Sequence, residues 1–160
     1  MSHLKRTIRI HAPLGSVYDL AHDPKHWSDW YVGLSEETDL DAGRGPGEHR
    51  HLMVGAPFPL TQRVVEDKLG KEEAHWRAKA EAPTESVEVS RSCKMILLAG
   101  NFDWTYKKAE GDTEVTVVLD FAVPTDLLEE ASDRQVIERL EAKCLEQSLE
   151  NLKQLCEVSH

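Results

Sequence analysis

The chain has 160 residues, a formal net charge of -10 and 40% hydrophobic residues. That length supports one core without disulfide or metal staples, so residues 1–160 are expected to form a single domain. The acidic balance argues against nucleic acid and anionic membrane surfaces as partners, because both need a basic face, and the longest apolar run, Met95–Ala99, is far short of the roughly 20 residues of a membrane span.

Lys5–Ile10 alternates as a first strand, with Ile8 and Ile10 on one face. Met1–Arg6 leads into it with no apolar leader segment. Pro13 suits the first turn of a helix, and Val17, Leu20 and Ala21 give that helix an inward stripe. Asp23 and Pro24 read as the cap and first position of a second short helix carrying Trp27, Trp30 and Tyr31.

Leu34–Leu40 is a predicted strand, followed by the glycine-rich turn Asp41–Gly47. His49–Val54 and Leu60–Asp67 continue as strands, Leu69-Gly70-Lys71 turns the chain, and His75–Ala82 alternates again. Ser86–Gly100 fits either an extended strand or a flap over a cavity mouth. Phe102–Tyr106 and Val115–Val123 flank Glu110-Gly111-Asp112 as a hairpin. Phe102, Trp104 and Tyr106 share a face, as do Val115, Val117, Leu119, Phe121 and Val123. Asp133–Cys156 is one long amphipathic helix with Val136, Leu140, Cys144, Leu145, Leu149, Leu152 and Cys156 on its stripe.

A long amphipathic helix and an antiparallel sheet each need an apolar partner, and packing one on the other satisfies both. The fold class expected is α+β, with a cavity between helix and sheet that suits a hydrophobic small molecule. Cys93, Cys144 and Cys156 lack metal-ligand spacing. Cysteines that pack as small hydrophobes fit a reducing, cytoplasmic setting. His49 and His51 share a strand face and His75 could join them, but no firm third ligand is evident and no metal is expected. His22 and His26 are four apart, yet Pro24 between them spoils a shared helical face.

Several segments resemble the START-like helix-grip (SRPBCC) superfamily. They are Ile8–Pro13 with Val17-Tyr18-Asp19 and Asp23–Trp27, then Asp103–Tyr106 with Gly111–Val115, and finally the helical tail Glu150–Leu155. Within it they resemble the polyketide cyclase/dehydrase and lipid-transport branch, and most of all the tetracenomycin-type aromatase/cyclases. The resemblance implies a helix-grip fold: about seven curved antiparallel strands wrapped around the long C-terminal helix, with two short helices after strand 1. No cofactor is expected. In one register Pro59–Arg63 overlays the family's Trp-x-Ser-x-Arg pocket strand, which keeps Arg63, puts Thr61 for Ser and Pro59 for Trp. In another, Trp76–Ala80 overlays it and keeps only the tryptophan. Arg91 falls on a second pocket arginine and Trp27 on an entrance tryptophan of that family.

Cyclisation of a poly-β-keto chain needs an enolate, a donor for the developing oxyanion, and walls that fold the chain and exclude water. Arg63 and Arg91 are the candidate donors and Tyr106 the candidate proton relay. Trp27, Thr61, Trp76, Trp104 and Phe121 are the candidate ligand-binding residues. The competing expectation for function is a carrier or sensor that holds a lipid-like molecule in the same cavity. The plainer expectation for the residues is that Tyr106, Trp104 and Phe121 are core or pocket wall and that Arg63 and Arg91 lie on the solvent face. The chain is compatible with a monomer or a homodimer.

Overall fold

A computed structural model describes residues 2–23, 26–30, 47–52, 59–81, 100–121 and 133–158. The elements are β1 (Ser2–Ile10), α1 (Leu14–His22), α2 (Trp27–Trp30), β2 (Gly47–Leu52), β3 (Pro59–Leu69), β4 (Glu73–Glu81), β5 (Gly100–Ala109), β6 (Asp112–Phe121) and α3 (Asp133–Val158). The six strands form one sheet in the order β1-β6-β5-β4-β3-β2, and every neighbouring pair is antiparallel. This is the expected α+β class with a C-terminal helix, built from six described strands rather than about seven. The strand expected at Leu34–Leu40, the turn over 41–46 and the undecided segment 86–99 lie outside the described residues.

Alternation sets the faces of the sheet. Trp104 pairs with Val117 and Tyr106 with Val115 across β5 and β6, and all four are buried. Trp76 pairs with Trp104 across β4 and β5, so the aromatic row continues onto a third strand. The β5–β6 turn is the two-residue Glu110–Gly111, with φ of 52° and 89°. Both central residues of such a turn need positive φ to match the twist of the strands, and glycine supplies one of them without strain.

At the other end of this hairpin, Gly100 stands opposite Phe121. A Cβ there would lie 2.2 Å from the Asp120 carbonyl oxygen and 2.9 Å from the Phe121 Cα. Backbone atoms cannot rotate away, so Gly100→Ala is expected to cost about 1–3 kcal/mol of stability in a urea titration. Gly15 in α1 has nothing within 4 Å of its would-be Cβ. Gly15→Ala should instead stabilise by about 0.5–1 kcal/mol through helix propensity. The opposite signs of the two alanines check the packing of the hairpin.

Leu14, Val17, Tyr18, Ala21 and His22 form the buried stripe of α1. The spacing is helical, and it carries Tyr18 and His22 inward along with the aliphatic residues. Asp23 ends this helix, its backbone N–H donating to the Asp19 carbonyl at 3.0 Å. Trp30 on α2 is buried and its indole N–H donates to the Leu20 carbonyl at 3.2 Å.

The last helix runs along β1 in the same direction. Ser2 donates to Glu138 at 2.6 Å, Arg6 to Glu146 at 2.9 Å, Lys153 to the Arg9 carbonyl at 3.2 Å, and the His11 backbone to Glu157 at 3.2 Å. Glu138 to Glu157 rises about 28 Å and Ser2 to His11 about 30 Å, so helix and strand keep pace. Leu145, Leu149, Leu152 and Cys156 are buried in the common core, and Ser148 joins them by donating back to the Cys144 carbonyl at 2.7 Å. Each buried leucine contributes about 1.5–3 kcal/mol. Val136, expected on the same stripe, is 51% exposed, and the buried stripe residues among the described side chains are Leu145, Leu149, Leu152 and Cys156. Among the described residues no helix is long and apolar enough to cross a membrane.

Candidate functional site

The inner face of the sheet, under α1 and α3, carries a cluster of rings around His22. Its imidazole stacks on Trp76 at 4.4 Å and 16° between planes. Trp104 meets it edge-on at 5.5 Å and Tyr106 edge-on at 5.4 Å. Tyr18 tilts against it at 4.9 Å, and Trp30 meets Trp104 edge-on at 5.7 Å. Four secondary-structure elements, α1, α2, β4 and β5, contribute to this cluster, so its geometry depends on the whole layer arrangement rather than on one loop.

Two short polar contacts sit inside it. The Tyr106 hydroxyl is hydrogen-bonded to His22 Nε2. The Tyr18 hydroxyl donates to Asp67 Oδ1 and, at 3.4 Å, approaches the His75 carbonyl. Burial, first of all, pushes the Tyr106 phenol well above its ordinary range, with further contributions from Tyr18, Cys156 and Asp67. A phenol that keeps its proton can donate to Nε2, and an imidazole that accepts there carries its own proton on Nδ1. The Cys156 thiol is pushed up to about 12, by burial and then by Glu157. Burial, and then Glu141, also raises the Cys144 thiol. Both sulfurs are therefore poor nucleophiles that pack as small apolar groups.

Asp67 reaches this interior through an irregularity in β3. Val64 pairs with Ala78, but the next pairs are Glu66 with Arg77 and Asp67 with Trp76, so Val65 is an unpaired bulge residue. The bulge reverses the alternation. Glu66 is turned outward, where it binds Arg77 Nε at 3.1 Å and His75 Nδ1 at 3.3 Å, while Asp67 is turned inward.

Of the sequence-predicted residues, the structure brings Tyr106, Trp76 and Trp104 together around His22. Phe121 is buried on the same face at the far end of β6. Arg63 stands apart from them: its side chain is exposed and alternates with buried Val64, which places it on the outer face of the sheet. Arg63→Ala is accordingly expected to change stability by less than about 0.5 kcal/mol, read as an unshifted urea midpoint, and to leave ligand uptake unchanged. Arg91 lies outside the described residues, and Trp27 on α2 and Thr61 on β3 are described in backbone only. His75, considered above with His49 and His51, has both ring nitrogens on carboxylates, Nε2 at 2.6 Å from Asp103 and Nδ1 at 3.3 Å from Glu66. Among the described residues, no three of His, Cys, Asp and Glu are placed to hold a metal ion.

Sequence reasoning missed Tyr18, His22 and Asp67 as site residues. The positions 14, 17, 18, 21 and 22 repeat at helical spacing and do signal Tyr18 and His22. Asp67 has no comparable signal, since its direction depends on the bulge.

No curated protein sequence matches the chain. Solved structures do. A START superfamily protein from Mycobacterium smegmatis superposes with a TM-score of 0.67 at 12% identity, covering 99% of each chain. A hypothetical protein from Helicobacter pylori superposes with a TM-score of 0.68 at 11% identity, covering 97% of this chain and 88% of the other. The di-domain ARO/CYC protein BexL superposes with a TM-score of 0.64 at 15% identity, over 96% of this chain and 46% of BexL. At such identities these likenesses establish the fold alone. The family profile for polyketide cyclase / dehydrase and lipid transport matches residues 1–157, and the chain belongs to that family.

Proposed function

We propose that this protein binds a hydrophobic small molecule against the aromatic inner face of its sheet and acts on it with cyclase/dehydrase-type chemistry. The observation that carries this reading is the Tyr106–His22 hydrogen bond, held between Trp76 and Trp104. Family membership supports the ligand class.

The pair suits proton movement. Tyr106 oxygen can take a proton from a carbon between two carbonyls while passing its own to His22 Nε2. The resulting enolate carbon attacks a second carbonyl, and the new alkoxide receives a proton as the relay runs back. The proton count closes with no external reagent. Arg91 keeps its expected place in this reading as the donor for the oxyanion. Trp76 and Trp104 supply flat walls against which an unsaturated chain can lie, and Phe121 extends them.

A carrier is the second reading, favoured by the outward position of Arg63. With that arginine outside, the described wall is a row of rings with a small polar centre, the pattern expected of a site that holds an apolar ligand by one polar end. Native mass spectrometry of protein purified from its own host tests the shared premise. A co-purifying apolar molecule is expected. Protein at its bare mass, together with failure of the folded chain to take up an apolar fluorophore, would overturn both readings. Release of a chemically altered molecule on incubation favours the enzyme, and unaltered release favours the carrier.

A further inference from the structure

The bulge at Val65 has a chemical consequence. It turns Asp67 to the inner face opposite Trp76, where regular alternation from Val64 would have brought Glu66. There Asp67 accepts the hydrogen of Tyr18, a fully buried residue of α1. The Tyr18 ring in turn meets Tyr106 edge-on at 5.2 Å and 73°, and His22 at 4.9 Å. A tyrosine held at its hydroxyl end by a carboxylate cannot swing its ring sideways about the Cα–Cβ bond without breaking that hydrogen bond, and both members of the polar pair lean on that ring.

We propose that Asp67 is a positioning residue, which acts through Tyr18 to hold the Tyr106–His22 pair in register. It makes no contact with ligand in this scheme. Its charge acts in the same sense as its geometry, since the nearby carboxylate contributes to keeping the Tyr106 phenol protonated. The inference rests on the proposed reading of Tyr106 and His22 as the polar centre of the ligand site, and the test separates the two.

The test uses Asp67→Ala, Asp67→Asn and Tyr18→Phe in the full chain, each checked for folding by circular dichroism. The primary readout is the NMR positions of the His22 imidazole nitrogens in ligand-free protein. Asp67→Ala and Tyr18→Phe are expected to move these signals. Asp67→Asn, whose amide oxygen still accepts from Tyr18, is expected to restore them. Uptake of the neutral fluorophore N-phenyl-naphthylamine is the second readout, with binding weakened about tenfold by the first two variants, in the range of coupled contacts. Should Asp67→Ala fail to fold, Tyr18→Phe, which keeps the ring, decides alone. Unmoved His22 signals in folded Tyr18→Phe overturn the proposal, as does an Asp67→Asn variant that behaves like Asp67→Ala. If the wild type takes up no fluorophore but the His22 signals move as described, the ligand reading fails and the positioning role stands.

Discussion

Trp104→Ala is expected to cost about 3–5 kcal/mol of folding stability, the range for deleting a large buried aromatic side chain. Trp104 is 4% exposed. It touches Trp30 at 5.7 Å, lies parallel to Tyr106 at 6.3 Å and meets His22 edge-on at 5.5 Å. Those three partners come from α2, β5 and α1, so no single element can relax to fill the space. The loss is dominated by apolar area and dispersion, with ring geometry adding about 0.5–1.5 kcal/mol per pair. For a chain of this length the midpoint of thermal unfolding should fall by about 10 °C or more. Trp104→Phe, which keeps most of the buried surface, should recover more than half of the loss. An alanine variant within about 1 kcal/mol of the wild type would contradict the packing described.

Tyr106→Phe is the second large effect, and it separates chemistry from packing. The ring stays, so the contacts with Tyr18 and Trp104 remain. Only the hydroxyl is lost, which strips His22 Nε2 of its buried partner. That costs about 1–3 kcal/mol in stability. If the pair relays a proton, turnover on a poly-β-keto substrate should fall by about 100-fold or more, with little change in substrate affinity. If the protein is a carrier, the same variant should weaken uptake modestly and alter nothing else. Measuring stability, binding and turnover on one variant therefore distinguishes the two readings.

Much of the architecture is legible in the sequence because it follows simple periods. Trp104 and Tyr106 alternate with polar residues on β5, and Val115 to Phe121 alternate on β6, so the inner face of the hairpin follows from the period alone. Glu110-Gly111 marks the turn between them, and the stripe from Leu145 to Cys156 marks the helix that lies above. A bulge is invisible to this reasoning. Val64-Val65-Glu66-Asp67 is consistent with either phase of alternation, and one extra residue decides which carboxylate faces inward. The same phase question hid the position of Arg63. His22 was legible from helical spacing, but a histidine on an apolar stripe has no chemistry until its neighbours are known. Trp76 and Tyr106, from strands far apart in sequence from α1, supply those neighbours.

The most direct test is a titration of folded protein with N-phenyl-naphthylamine, followed by its fluorescence and by the NMR signals of His22 and Tyr106. Uptake with one saturable site, and movement of those two residues' signals in step with it, is the predicted result. A folded protein that leaves the dye in water, or one that binds it while His22 and Tyr106 stay still, would contradict the assignment of the aromatic inner face as the ligand site.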